Sequence, residues 1–132
     1  MGNERITQGP GFKIRFRNEH GYLRAHVFGG HDSQQVSTAM WTMIGAECQQ
    51  QGATRLLVLE ELQDIVGDID VSAISQTMVD VGLKPVRIAF VELTNDITLN
   101  EYGEILCLEL GIAVRVFSRE DAARRWLLYS ND

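Results

Sequence analysis

The sequence predicts an α/β domain: an N-terminal β-hairpin, a helix, then three strand–helix units. That makes a five-stranded mixed, mostly parallel sheet with four helices. Three observations carry the prediction. FKIRFR (12–17) and LRAHV (23–27) alternate apolar and basic residues around the turn cluster NEHG (18–21), as a hairpin does. RLLVLE (55–60) and VRIAFVEL (86–93) are short, nearly continuous apolar runs, as expected of strands covered on both faces. The segments between such runs have helical spacing, and strands linked by helices pair in parallel through right-handed crossovers.

Taken in order, residues 1–11 read as a flexible arm and 12–132 as one domain. In the hairpin, Phe12, Ile14 and Phe16 share a face with Leu23, Ala25 and Val27, while Lys13, Arg15, Arg17 and Arg24 take the other. Gly29 and Gly30 break the strand. Asp32 or Ser33 caps a helix running to Gln51, with Val36, Met40, Met43, Ile44 and Cys48 at helical spacing and Gly52 as its stop. The strand 55–60 leads into an acidic loop, ELQDIVGD. A second helix follows, DVSAISQTMVDVG, with Ile74, Met78 and Val81 on one side. After strand 86–93, Thr98 and Glu101 have capping-box spacing and open a third helix that Gly111 closes. IAVRVF (112–117) is the last strand. A final helix begins at Ser118 to Asp121 and carries Ala122, Ala123, Trp126 and Leu127 as its apolar stripe.

Composition narrows the function. The chain has 132 residues, 45% apolar and 23% charged, enough for one domain with a real core. Its net charge of −6 argues against general nucleic-acid binding, which needs a basic surface, and against docking on anionic lipid by charge alone. No apolar run approaches a membrane span of roughly 20 residues, and the first residues lack the apolar core of a secretory signal. Cys48 and Cys107 are far apart and lie in apolar stretches, which reads as two buried, reduced thiols in a cytoplasmic protein.

Catalytic and cofactor motifs are not visible. GPG (9–11) precedes a strand, and GG (29–30) precedes a helix without a dinucleotide fingerprint or a phosphate-loop lysine. His20, His26 and His31 lack metal-ligand spacing, and nothing pairs them with Cys48, Cys107 or Ser72. No lysine follows the last strand, which rejects a phospho-receiver domain. In open α/β sheets, ligands gather beyond the carboxyl ends of the strands. The loops expected there hold Glu60, Glu61, Asp64, Asp68 and Asp70, then Glu92, Asn95 and Asp96; these acids could bind a cation, but they lack EF-hand spacing. The third helix stands out. Leu99, Tyr102, Leu106 and Leu110 form one stripe, expected to pack on the sheet, while Ile105 and Leu108 point away toward a second chain, a ligand or the neighbouring helix.

The element order, together with FGGHD (28–32) before the first helix and VRVFSREDAARRWL (114–127) at the end, resembles the STAS family, and within it the short bacterial SpoIIAA-like proteins. The resemblance covers residues 12–129. It implies a non-enzymatic, cytoplasmic protein-interaction or regulatory domain without cofactor. Family members with a phospho-switch carry Asp-Ser-Ser-Gly at the start of the second helix. This chain has Asp70-Val71-Ser72-Ala73, so only Asp70 and Ser72 carry over and the switch context is missing. Asp70 is then expected to cap the helix, with Ser72 in its first turn. The fold also resembles the CRAL-TRIO domain, which implies the alternative of a carrier or sensor for a small apolar or amphipathic ligand. The residues expected to meet a ligand, a protein partner or a second copy of the chain are Asp70, Ser72, Glu92, Asn95, Asp96, Tyr102, Ile105 and Leu108.

Overall fold

The structure, a computed structural model, describes residues 4–131. The chain runs β1 (Glu4–Gly9), β2 (Phe12–Glu19), β3 (Tyr22–His31), α1 (Gln34–Gln51), β4 (Arg55–Gln63), α2 (Val71–Asp80), β5 (Arg87–Glu92), α3 (Thr98–Glu109), β6 (Val114–Phe117) and α4 (Glu120–Tyr129). The sheet has six strands, in chain order from β1 to β6. The first three are antiparallel, and β3 to β6 are parallel.

The extra strand corrects the expected loose arm. Residues 4–9 pair with β2 from Glu4 opposite Arg17 to Gly9 opposite Phe12. Arg5 lies over the Phe16 ring and forms an ion pair with Glu47 of α1, so the strand is tied to the helical layer as well. The first three residues of that arm lie outside the described ones. The second glycine cluster also differs from the expected strand break, whereas GPG (9–11) leads into β2 through a turn as expected. Gly29 and Gly30 stay within β3, where its register against β4 shifts between Phe28 and His31. Gly30 packs against the Gly11 carbonyl so closely that a Cβ there would overlap the oxygen.

The sheet separates two cores by side-chain parity. On one face α1, α2 and α3 lie side by side. Here Ile14, Phe16, Val27, Leu56, Val58, Ile88 and Phe90 meet Met40, Ile44 and Met78. On the other face α4 covers β4 to β6 through Ala123 and Leu127, which pack on Leu57, Leu59, Ala89 and Val91. Cys48 and Cys107 are both buried and unpaired. The hairpin's basic residues stay outside α4, and three of the four are matched by carboxylates: Arg15 with Glu4 at 2.9 Å, Arg24 with Glu120 at 2.8 Å, and Arg17 with Glu19. Among the described residues no helix is long and apolar enough to cross a membrane.

The Gly11–Gly30 approach sets an expected outcome. Gly30→Ala forces two backbones apart and should cost about 1–3 kcal/mol, the usual range for overpacking. Urea denaturation followed by circular dichroism measures it; an unchanged midpoint would mean that the close approach is not needed.

Candidate functional site

Strands β3, β4 and β5 end at the same side of the molecule, and each delivers one acid there. Asp32 follows β3, Glu60 lies near the end of β4, and Glu92 closes β5. All three are buried, at 7%, 3% and 5% exposure. Glu60 and Glu92 are direct register partners across the parallel pair, and both point to the face covered by α1 to α3. Two carboxyls held side by side out of water cannot both carry charge cheaply. The surroundings decide which one does.

Glu92 is the member supplied with donors. Its Oε2 accepts the Asn95 N–H at 3.0 Å and the Thr94 N–H at 3.3 Å, and its Oε1 accepts from Asn100 Nδ2 at 2.7 Å. Glu60 has no such supply. Among the described residues no N–H or hydroxyl donates to its side chain, and its hydrogen-bond partner is Glu92 itself. Burial, then the charges of Asp32 and Glu92, hold the Glu60 carboxyl well above the usual carboxylate range. Burial also raises Asp32, opposed by the Ser37 hydroxyl at 2.8 Å and the Ser33 N–H.

Asp32 and Glu60 border a cavity of about 70 Å³ beneath α3. Space for one water needs only about 10–15 Å³ on this measure, so the cavity admits a small organic molecule but no lipid chain. Trp41 and Phe90 form one wall, their ring centroids 5.9 Å apart. The roof corrects the expected stripe. Helix α3 turns Asn100, Gly103, Glu104 and Cys107 inward, with Leu99 also in the lining, and of its residues only Cys107 is fully buried. Leu99 and Tyr102, expected in the core, are exposed, and Leu106 and Leu110 are half-buried at its flank. Tyr102, Ile105 and Leu108 are each more than half exposed, at 53%, 55% and 56%. The expected capping box is also unmade: Ile97 is the N-cap, and the Thr98 N–H goes to Asp96 Oδ1 at 2.7 Å. Glu104 Oε1 accepts the Val116 N–H at 2.8 Å, which fastens α3 to the sheet edge.

The residues singled out from sequence fall into three places. Glu92 and Asn95 meet at the end of β5, outside the cavity lining, where Asn95 Nδ2 also reaches the Leu62 carbonyl at 3.2 Å. Asp96 is exposed on the same loop, its carboxyl held low by the Thr98 hydrogen bonds. Asp70 is the N-cap of α2 and accepts the Ala73 N–H at 3.0 Å, while its own N–H goes to Gln34 of α1. Ser72 is exposed in the first turn, next to Val71, which lines the cavity. Tyr102, Ile105 and Leu108 lie on the far side of α3 from the cavity.

Sequence reasoning grouped Glu60 with loop acids and did not single out Asp32, Asn100, Glu104 or Trp41. A usable signal was present. LLVLE (56–60) and IAFVE (88–92) share one pattern, four apolar residues and then a glutamate in phase with the inward face. Among the described residues no group of three or more His, Cys, Asp or Glu side chains could hold a metal ion. Burial pushes the Cys48 thiol up to about 11 and also raises Cys107, so neither is a ready nucleophile. Compared with protein-family models the chain matches none, and no curated protein matches it.

The carboxyl pair sets a pH dependence. Unfolded, Glu60 releases its proton near the ordinary glutamate value; folded, it keeps the proton to higher pH. Between those two values the folded state binds more protons, so stability falls as pH rises through that window. Glu60→Gln keeps a neutral side chain of the same shape and should flatten that fall, making the variant more stable than the parent at pH 8 and similar at pH 4.5. Urea midpoints across pH 4.5–9 check it. In contrast, Glu92→Ala orphans three buried or half-buried donors and should cost about 1–3 kcal/mol at pH 7.

Proposed function

We propose that the chain is a non-enzymatic, STAS-like binding domain that takes a small amphipathic molecule in the cavity beneath α3. The observation that carries this reading is the reversed polarity of α3. A helix that only sealed a core would turn its leucines inward. This one turns an asparagine, a glycine, a glutamate and a cysteine toward the cavity, with Leu99 its one leucine in the lining, and leaves Tyr102, Ile105 and Leu108 outside. Small, precisely placed polar groups among apolar walls are what a ligand pocket needs. The STAS-like reading draws support from the element order after β1 and from Asp70 at the head of α2. Ser72 lacks the family's phospho-switch context, so regulation is proposed to run through the ligand instead. The two unpaired thiols support a cytoplasmic location. Nucleic acid has no part in the proposal, since most of the hairpin's basic face is already matched by carboxylates.

A second role is favoured by the exposure of Tyr102, Ile105 and Leu108. They make an apolar strip on the helix that roofs the cavity, where a protein partner or a second copy of the chain would sense whether the cavity is filled.

Two variants separate these roles. Gly103 lies at the cavity with open space beyond an ordinary contact to Val71, so Gly103→Leu should fill the cavity while the circular dichroism spectrum stays native. Native mass spectrometry of freshly purified protein should then show a small molecule retained by the parent and absent from the variant. Retention by both would place the ligand elsewhere. Ile105→Asp with Leu108→Asp should keep the fold, since both residues are exposed, and should abolish any dimer seen by sedimentation. An unfolded double variant would return these residues to the core.

A further inference from the structure

We propose that the cavity selects a small organic cation, an ammonium or amidinium group on a short apolar body, with Glu60 as its counter-charge. This rests on the pocket reading above and adds the chemistry of the ligand.

Three features of the cavity point the same way. Its lining holds three acids, Asp32, Glu60 and Glu104, and no lysine, arginine or histidine. An anionic ligand would meet only like charge there. Its wall offers the Trp41 and Phe90 rings, and aromatic faces attract cations that have left water. Finally, Glu60 is 3% exposed, lines the cavity and receives no donor from the chain, its one partner being the Glu92 carboxyl. A buried carboxyl without donors is costly unless something supplies them. An ammonium brings three N–H donors and an amidinium four, which is what Glu60 and the second oxygen of Glu104 lack; Asp32, already bonded to Ser37 and Ser33, adds its charge. The apolar walls of Val71, Ile74 and Val116 fit a short hydrocarbon body. A divalent metal is the poorer match, because these acids do not converge with metal-binding geometry.

The proton balance follows. Empty, the cavity favours the protonated form of Glu60 beside the Glu92 carboxyl. An entering cation favours the carboxylate, so the Glu60 proton passes to the buffer as the ion pair forms. The charged or titratable groups that face Glu60 are Asp32 after β3, Glu92 of β5 and Glu104 of α3; α1 and α2 offer only the Ser37 and Ser75 hydroxyls. With no basic group nearby to take the proton, it must leave the site.

The test uses the ¹⁵N-labelled full chain titrated with cyclohexylammonium and, separately, with its neutral counterpart cyclohexanol. Amide shifts of Glu60, Glu92 and Gly103 report binding in the cavity. The expected result is a preference for the cation of at least about tenfold, from one charge-assisted hydrogen-bonded pair and the aromatic wall. The preference should grow from pH 6 to pH 8.5 and vanish in Glu60→Gln. Calorimetry in buffers of different ionisation enthalpy should show proton release with the cation and none with the alcohol. Equal binding of the two probes, with Gly103 still responding, would overturn the cation inference and leave the pocket reading standing. Absence of any response at Gly103 to either probe would overturn both. Glu104→Gln is the second variant. It keeps the bond to the Val116 N–H and removes one facing charge, so it should reduce the preference; an unchanged preference in both variants would also overturn the proposal.

Discussion

Everything at the cavity end of the molecule depends on how one buried acid, Glu92, is satisfied. Glu92 ends a central strand with no water around it, so the chain must bring donors to it. It does so at once, through the next two backbone N–H groups and then Asn100 on the following helix. Those bonds bend the chain after β5 and fix where α3 begins. Because α3 must present Asn100 to the sheet, it must also present Gly103 and Glu104 one turn further on and Cys107 two turns further on. The position of the cavity and the outward display of Tyr102 and Ile105 are consequences of that one requirement. So is the raised proton affinity of Glu60, which stands beside a carboxyl that has already claimed the nearby donors.

The parts of this arrangement that could be read from the sequence are those set by periodicity. The hairpin faces, the buried strands 55–60 and 86–93 and the stripes of α1 and α4 all follow from local alternation or helical spacing. Strand β1 was not legible because ERITQG offers no apolar face; it becomes a strand only by pairing with β2 and by the Arg5–Glu47 contact, both distant in sequence. Helix α3 was legible as a helix but was read inside out. Counting apolar residues assumes that a helix packs on a greasy surface, and α3 instead packs on a carboxylate. Asp70 was correctly placed as a cap, since the local pattern of an N-cap is self-contained. Thr98 was not, because Asp96 from the preceding loop takes the bond that the capping box would have used.

The two faces of the sheet divide the work. Under α4 the packing is dry and continuous, with Trp126 held between the Phe117 ring and the Arg87 guanidinium, 3.8 Å from the latter. Under α1 to α3 the same strands carry a core at one end and acids at the other. The packing under α4 and the buried acids therefore draw on different side chains of the same strands. Leu57, Leu59, Ala89 and Val91 serve the first, and their neighbours Glu60 and Glu92 make the second. A change at the acidic end leaves the packing under α4 untouched.

The strand order has a consequence for how the protein is made. Because the sheet is laid out in the order in which the chain is synthesised, each strand can join the one before it as it leaves the ribosome, with no strand waiting for a later partner. The hairpin can form first and α1 can settle on it. Strands β4 and β5 extend the sheet, bringing Glu60 and Glu92 together while their ends still face water. Only when residues 98–117 emerge do α3 and β6 close over them. The newborn domain thus leaves these acids open to water until the final steps, and the raised proton affinity of Glu60 is acquired only as the sheet is covered.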